Sequence, residues 1–401
     1  MNPSRKIVLN TSFQLLARLG STLLTFTITY LTIRLAGEGL YGDLAKVTSL
    51  LGVCYTALDF GINALVVREL GLNQQKNRAL LSTTLLLRLF LALLTGLLTL
   101  FVIYLLPGSE TQGYTSSVRT AYLLGLPSIF FYAVHLTTNA SFQKELRYDK
   151  VAASSLLGAA TMFITSYLFL RTSPSPETLA LAVTLGYFVT AALSLYFAKS
   201  RLSLESSLAQ VLPLARRAIP IGVVLLLSML AGKVDIIILG ALRSSEEVGQ
   251  YGFAYKIFDF ALTLPVFAMN AVYPFLLTKT AAAVIRRTLP SLILLGALAG
   301  ASLFLLSPLI LLVKPTLTLS LTTLRILSLS LPLFYASAPL MWGLIAKRKE
   351  LSLIKIYFLG ACINILGNLL AVPTYGAQAS AFLTIATEGA ILIGLLHARK
   401  S

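Results

Sequence analysis

Charged side chains interrupt the long apolar segments of this chain. The deepest of them are Arg18, Asp59, Lys233, Asp235, Asp259 and Glu388, and three more, Lys46, Arg88 and Lys256, lie one to two helical turns from the ends of such segments. An ionised side chain at the centre of a membrane helix costs roughly 2.5–3.5 kcal/mol on insertion scales, so such residues usually face a water-filled cavity or a partner. The pattern therefore indicates a polar pathway or a set of ion pairs inside an apolar protein.

The basic residues are interpreted through their neighbours. Asn10, Gln14 and Ser21 recur at spacings of three and four residues, which places them near one helix face with Arg18. That face favours a cation in a water-filled cavity, and the alternative is a side chain that extends to the cytoplasmic interface. The basic residues that we take as candidates to line a cavity are Arg18, Lys46, Arg68, Arg88, Lys233 and Lys256.

The acidic residues differ in the partners within their reach. Asp259 follows Lys256 by three residues on one helix face, which predicts an ion pair between them. Lys233 and Asp235 point to different faces and need separate partners. Glu388 has no basic residue within a turn, so it either titrates, binds a cation or accepts a bond from a neighbouring helix. The candidates for coupling or ion pairing are Asp59, Asp235, Asp259 and Glu388.

The sequence contains no recognisable enzyme constellation. His135 and His397 are isolated, and Cys54 and Cys362 lie inside apolar segments without disulfide or metal spacing. A glycine-rich phosphate loop that ends in Lys-Ser/Thr is absent. We therefore expect a protein that is not an enzyme and that holds no cofactor or metal, with coupling to H⁺ or Na⁺ left open.

These side chains must be positioned by membrane helices. The chain is 57% hydrophobic and 12% charged, whereas soluble domains carry about 25% charged residues. Its apolar runs reach the roughly 20 residues that cross the hydrocarbon core as a helix, and the alternation of a membrane barrel is absent. We predict an all-α polytopic membrane protein with twelve spans, at approximately 11–35, 44–68, 80–106, 119–143, 152–171, 178–198, 217–241, 251–277, 288–313, 321–345, 352–372 and 377–397.

The distribution of basic residues predicts the orientation. Most of the 32 Lys and Arg residues fall on the side of the spans that also holds both chain ends, and the positive-inside rule assigns that side to the cytoplasm. We expect the inner or plasma membrane of the cell, with both termini cytoplasmic. The net charge of +17 lies at membrane edges, where it contacts anionic lipids, which argues against a nucleic-acid partner.

The motif Tyr-Gly-x-x-x-Lys occurs twice, at 41–46 and 251–256, and each copy follows a polar turn. The repetition predicts two related six-helix lobes, residues 1–199 and 217–401, joined by a cytoplasmic linker at 200–216. The copies differ one turn after the lysine, where the first has Ser49 and the second Asp259. This difference predicts a freer lysine at position 46 and a paired one at position 256.

Four segments resemble one family of transporters. They are RLAGEGLYG at 34–42, DFGINALVVREL at 59–70, KVDIIILG at 233–240 and VGQYGFAYKI at 248–257. They are similar to the polysaccharide biosynthesis, or O-antigen flippase, branch of the multidrug/oligosaccharidyl-lipid/polysaccharide exporter superfamily. The span count and the two-lobe plan extend the resemblance over the whole chain. The chain lacks the two additional C-terminal helices of the lipid II flippase branch, which argues against that assignment.

The resemblance implies a V-shaped pair of six-helix lobes around a central cavity, with alternating access and no ATPase. It implies a substrate in which a polyprenyl pyrophosphate carries an oligosaccharide, moved from the cytoplasmic to the outer leaflet. A pyrophosphate is best bound by Arg and Lys, and a sugar chain needs polar and aromatic surface, which the 17 Tyr residues can supply. Partners would be membrane lipids and enzymes of glycan assembly, such as a polymerase and glycosyltransferases. The motif positions carried over are Arg18, Asp59, Arg68, Asp235 and Lys256.

Two other functions compete with this interpretation. One is a cation-coupled multidrug exporter of the same superfamily, which Asp59 supports and which the absence of a carboxylate beside Arg18 opposes. The other is a non-transporting membrane scaffold for glycan assembly, which the charged residues within the spans oppose.

The orientation can be tested with reporter fusions. A reporter fused after the basic loop at 347–349 should be active in its cytoplasmic form, because basic loops are retained inside. An outward-facing reporter at this loop would contradict the predicted orientation.

Overall fold

The protein is described by a computed structural model over residues 3–70, 74–109, 112–199, 208–276 and 281–400. Within these ranges the long regular elements are all α-helices. The helices of the first half are α1 (Pro3–Ala36), α2 (Glu38–Asp59), α3 (Ile62–Glu69), α4 (Gln74–Leu105), α5 (Ser116–Gly125), α6 (Pro127–Lys144), α7 (Tyr148–Thr172) and α8 (Pro176–Ala198). Those of the second half are α9 (Leu208–Leu242), α10 (Ser245–Leu276), α11 (Ala281–Leu306), α12 (Ile310–Val313), α13 (Thr318–Ser328), α14 (Leu331–Ala346) and α15 (Glu350–Lys400).

The described helices lie at the positions of the predicted membrane spans, but fewer than twelve of them qualify as spans by length and apolar composition. In the described ranges, nine helices are long and apolar enough to cross a membrane, and the pair α13–α14, bent by 45°, makes a tenth. The helix α2 and the division of α15 at Gly376 account for the remaining two predicted spans. The protein is therefore an all-α, multi-pass membrane protein, as the composition indicated.

The chain forms two compact units. The first comprises residues 1–110 and 114–225, and the second residues 111–113 and 226–401. The boundary falls within α9, whereas the predicted second lobe begins at 217, with the linker at 200–216 partly outside the described residues. In the first unit α7 packs on α1 and α8, and in the second α14 packs on α11 and α15. Both copies of Tyr-Gly-x-x-x-Lys lie near the start of a helix that follows a tight turn, in α2 and α10.

The second predicted span is wrong in one respect, because it is not one continuous helix. Phe60 and Gly61 adopt left-handed conformations, with φ of 37° and 69°, and separate α2 from α3. A Cβ at Gly61 would lie 2.6 Å from the Ile221 side chain, and the Phe60 ring packs directly against Gly222. The close approach of α9 therefore fixes the break, and the break places Asp59 at the C-terminal end of α2.

A second break divides α15 between the predicted spans 352–372 and 377–397. Gly376 has φ 62° and ψ −146°, and Glu247 accepts a hydrogen bond from the Ala377 N–H at 2.7 Å. Arg243 donates to Glu247 at 2.7 Å and to the Pro373 carbonyl at 3.3 Å. The side chains of Arg243, before α10, and Glu247, in its first turn, thus replace backbone hydrogen bonds that the break removes from α15.

We predict that Gly376→Ala destabilises the protein by roughly 3 kcal/mol. The positive φ strains any other residue, and the new Cβ would collide with Glu247 Oε1. Gly389→Ala in the same helix is the control, because no atom lies within 4 Å of its Cβ position and alanine favours a helix by up to about 1 kcal/mol. Thermal unfolding in detergent should show a lowered Tm for the first variant alone, and equal Tm values would contradict this account of the break.

Candidate functional site

The first unit holds a buried arginine beside a carboxylate that is half in solvent. Arg88 on α4 is fully buried; its Nε donates to the Leu58 carbonyl and its Nη1 to Thr137 Oγ1, both at 3.2 Å. Its Nη2 lies 4.0 Å from Asp59 Oδ1, and neither of these two buried atoms has a hydrogen-bond partner in the described part of the chain. The side chain of Asp59 is 41% exposed. Arg88 is thus held by neutral oxygens, and Asp59 remains accessible to water or a ligand.

A cluster of three tyrosines lies next to this pair. The ring centroids of Tyr55 and Tyr132 are 4.8 Å apart, those of Tyr55 and Tyr187 5.1 Å, and those of Tyr132 and Tyr187 5.6 Å. The Tyr55 hydroxyl is 2.6 Å from Ser128 Oγ. Tyr132 lies within electrostatic range of Arg18, Asp59 and Arg88. Nothing in the sequence pattern distinguishes these tyrosines, since tyrosines at this frequency also fit an interfacial belt.

The tyrosine cluster borders a cavity of about 230 Å³ inside the first unit, which we call the unit 1 cavity. It is formed by α1, α6, α7 and α8, and its polar lining comprises Ser21, Thr25, Tyr132, His135, Tyr187 and Thr190, among others. His135 Nδ1 is 2.9 Å from Ser194 Oγ, so one ring nitrogen has a hydrogen-bond partner within the protein. Its other face, however, borders the cavity.

Arg18 lies on α1 one turn before the cavity residue Ser21. Its side chain is exposed in the protein, and Ser21 and Thr25 follow it at spacings of three and seven residues, on the same face. The side chains of Asn10, Gln14 and Arg68 lie outside the described part of the structure. The predicted polar face of α1 thus leads into the unit 1 cavity.

The two lysines of the repeated motif have exchanged the environments predicted for them. Lys46 is fully buried and donates to Asp43 Oδ1 at 3.0 Å, so the prediction of a freer lysine in the first copy is wrong. Asp259 pairs with Lys233 at 2.6 Å, so the predicted pair between Lys256 and Asp259 is also wrong. No described acidic group lies within 4.0 Å of the Lys256 ammonium. The partner of Asp259 therefore comes from a different helix, since Lys233 lies on α9 whereas Lys256 and Asp259 lie on α10.

The separate partners predicted for Lys233 and Asp235 are confirmed. Lys233 contacts Asp259, and its ammonium lies 5.8 Å from the centroid of the Tyr255 ring. Asp235 is fully buried and accepts hydrogen bonds from the Tyr251 hydroxyl and, at 2.8 Å, from the Ile236 N–H. The charge-assisted hydrogen bond from Tyr251, the tyrosine of the second motif copy, therefore offsets part of the desolvation free energy of the buried Asp235 carboxylate.

Glu388 lies in the interior of the second unit. It is 6% exposed and within electrostatic range of Tyr255 and Tyr357. Ser337 lies among its neighbours, and no described basic group lies within 4.0 Å of its carboxylate. Its carboxyl group therefore lies in a setting of neutral hydrogen-bonding groups.

A ladder of amide and hydroxyl groups in α15 went unnoticed in the sequence. Asn364 Nδ2 donates to the Ala231 carbonyl at 3.0 Å, Asn368 Nδ2 to Asn364 Oδ1 at 2.9 Å, and Ser380 Oγ to Asn368 Oδ1 at 2.6 Å. The i, i+4 spacing of the two asparagines was the available signal. The ladder joins α9 to both parts of α15.

The comparisons with known proteins agree with this architecture. A sequence model of the family described as "Polysaccharide biosynthesis protein" matches residues 7–280, more than half of the chain. The chain belongs to this family. No curated protein matches it in sequence.

Solved structures of transporters share the fold of this chain. It is similar to the lipid II flippase MurJ in an inward closed conformation, with a TM-score of 0.75 and 14% identity over 98% of this chain and 88% of the flippase. It is also similar to an inward-facing multidrug resistance MATE family transporter, with a TM-score of 0.76 and 14% identity over 95% and 94% of the two chains. A MATE transporter of Vibrio cholerae aligns with a TM-score of 0.65 and 15% identity over 99% and 97%. At these identities the likeness concerns the fold.

We predict that Arg88→Met lowers stability by roughly 2–3 kcal/mol, because it removes two hydrogen bonds to a buried charged group. The control is Arg147→Met, which removes an exposed pair with Asp149 that is worth at most about 1 kcal/mol. Thermal unfolding of both variants in the same detergent measures the difference. An equal Tm for the two variants would show that Arg88 does not hold α2, α4 and α6 together.

Proposed function

We propose that this protein is a flippase for a polyprenyl-pyrophosphate-linked oligosaccharide. It moves the headgroup, an O-antigen or another polysaccharide repeat unit, from the cytoplasmic to the outer leaflet by alternating access. The observation that carries the proposal is the family match over residues 7–280 combined with an arginine next to a hydroxyl-rich cavity, where Arg18 precedes the lining residues Ser21 and Thr25 on one face of α1.

The positive charge of Arg18 fits a pyrophosphate. Arg18 presents a planar guanidinium on the polar face of α1, and such a group binds phosphate oxygens in pairs. Lys256 offers a further cation in the second unit, since no described carboxylate lies at ion-pair distance from it, and Lys233 becomes another when it releases Asp259. Lys46 and Arg88 are fully buried and act as structural residues in this proposal. The lipid tail remains in the bilayer while the headgroup passes through the polar interior.

The carboxylates supply the coupling in this proposal. Asp59 is partly exposed beside the unpaired Nη2 of Arg88, and Glu388 is buried among hydroxyl groups. A carboxylate in either setting binds H⁺ or Na⁺ in one conformation and releases it in the other, which links an ion gradient to the movement of the headgroup. Asp235 and Asp259 are engaged with Tyr251 and Lys233 and would change partners during the cycle.

A multidrug exporter is the second candidate, and the MATE structures favour it through their fold. A site for cationic drugs needs carboxylates that are free to bind them. In the first unit Asp59 lies beside Arg88, and the polar lining of the unit 1 cavity consists of hydroxyl, phenol and imidazole groups. This chemistry suits a neutral or anionic headgroup better than a cation.

The proposal places the protein in the inner or plasma membrane of the cell, with both termini in the cytoplasm. Its partners there are membrane lipids, the glycosyltransferases that build the lipid-linked glycan and the polymerase that uses it. Depletion of the protein should therefore cause one lipid-linked glycan to accumulate on the cytoplasmic face of the membrane. Mass spectrometry of the accumulated glycan would identify the substrate.

We predict that Arg18→Ala reduces flipping of a lipid-linked glycan in proteoliposomes at least tenfold, because the pyrophosphate loses its guanidinium. Arg18→Lys should retain part of the activity, since it keeps the charge but not the paired hydrogen bonds. Arg147→Ala, an exposed arginine that pairs with Asp149, is the control at matched expression. Normal flipping by Arg18→Ala would refute the role of Arg18.

A further inference from the structure

We propose that the unit 1 cavity binds a single neutral pyranose ring, the sugar attached directly to the pyrophosphate. This inference rests on the proposed function, because a lipid-linked glycan is what brings a sugar to the cavity. It adds a binding site for one part of the substrate, made entirely by α1, α6, α7 and α8 of the first unit.

The size of the cavity selects one ring. Its volume is about 230 Å³, whereas pockets for drug-sized ligands span about 300–1,000 Å³. An apolar cavity of about 150 Å³ holds benzene, a six-membered ring without substituents. The additional volume accommodates the hydroxyl groups of one pyranose, and a disaccharide would exceed it.

The chemistry of the lining selects a neutral, hydroxyl-rich ligand. Hydroxyl, phenol and imidazole groups line the cavity together with glycine, alanine and methionine, and none of its lining residues carries a full charge at pH 7. Ser21 lines the cavity, and its buried Oγ has no hydrogen-bond partner among the described residues, so a rotation of this side chain presents the hydroxyl to a ligand without breaking another bond. The rings of Tyr132 and Tyr187 provide apolar faces with polar edges, the combination that a pyranose presents in return.

The walls of the cavity are held rigidly. Tyr55 contacts the rings of both Tyr132 and Tyr187 and is fixed by Ser128. The helices α7 and α8 meet at Gly158 and Gly186, where a Cβ on Gly186 would lie 2.7 Å from Met162 Cβ. Rings that cannot rotate away lose little freedom when a ligand binds, so the site is preorganised.

The position of the cavity relative to Arg18 identifies which sugar it binds. At 1.5 Å per residue, Ser21 lies about 4.5 Å and Thr25 about 10 Å beyond Arg18 along α1. A pyrophosphate held at Arg18 therefore places the first sugar at the cavity. The cavity then binds the sugar at the reducing end of the repeat unit, which is the sugar attached to the pyrophosphate.

The test is direct binding of small probes to the full chain in nanodiscs. Saturation-transfer difference NMR with the methyl pyranosides of glucose, galactose and N-acetylglucosamine should detect binding of at least one of them. Ser155→Phe, which fills the cavity from α7, should abolish that signal. Leu157→Phe, on the lipid-exposed face of the same helix at 52% exposure, is the matched control and should retain it.

A milder variant covers the case in which Ser155→Phe does not fold. Ser21→Ala removes only the unpartnered hydroxyl, and it should weaken pyranoside binding about fivefold, the equivalent of one neutral hydrogen bond. Inorganic pyrophosphate, used as a separate probe, should bind equally to the wild-type protein and to Ser21→Ala.

The outcomes separate this inference from the proposed function. The inference is overturned if no pyranoside binds, or if Ser155→Phe and Ser21→Ala bind it as the wild type does. It is also overturned if a folded Ser155→Phe flips the lipid-linked glycan at the normal rate. A wild-type protein that binds the pyranoside through this cavity but moves no lipid-linked glycan would retain the sugar site and refute the flippase.

Discussion

Every carbonyl that loses its helical partner in this protein needs a donor from elsewhere, because the lipid offers none. Arg88 donates a hydrogen bond to the Leu58 carbonyl at the end of α2, and Arg243 donates to the Pro373 carbonyl before the break in α15. Tyr335 donates at 2.7 Å to the Ala261 carbonyl. The usual partner of that carbonyl would be the N–H that Pro265 lacks. Thr184 donates in the same way to the Leu124 carbonyl, before the junction of α5 and α6, at 2.6 Å. The polar side chains of the interior are thus first of all the means by which broken helices are tolerated.

The two units use this constraint differently. In the second unit Lys233 contacts Asp259, and Asp235 accepts a hydrogen bond from the Tyr251 hydroxyl. In the first unit the Arg88–Asp59 contact is 4.0 Å long, and neither of its two atoms has a hydrogen-bond partner among the described residues. The polar groups of this contact therefore remain available to a ligand, and a cavity lies in the same unit.

The sequence predicted what depends on local pattern. The length of the apolar runs placed the helices, and the turns before Glu38 and Ser245 were visible as polar residues. The break at Phe60 and Gly61 was not visible, because it depends on how closely α9 approaches. The Lys233–Asp259 pair was missed for a similar reason. The spacing along α10 shows that Lys256 is able to contact Asp259, but it does not show that Lys233 on α9 lies closer to this carboxylate. The unit 1 cavity depends on the contact of α7 and α8 at two glycines, which no single-helix pattern encodes.

The charged residues of α2 also bear on how the protein is made. The helix carries Glu38, Asp43, Lys46 and Asp59, and it is absent from the helices apolar enough to qualify as independent spans. A segment of this kind partitions poorly from the translocon into lipid by itself. The tight turn at Gly37 joins it to the apolar α1, and the bond between Lys46 and Asp43 masks two of its charges. Biogenesis should therefore insert α1 and α2 together as a hairpin, with α1 supplying the transfer free energy that α2 lacks.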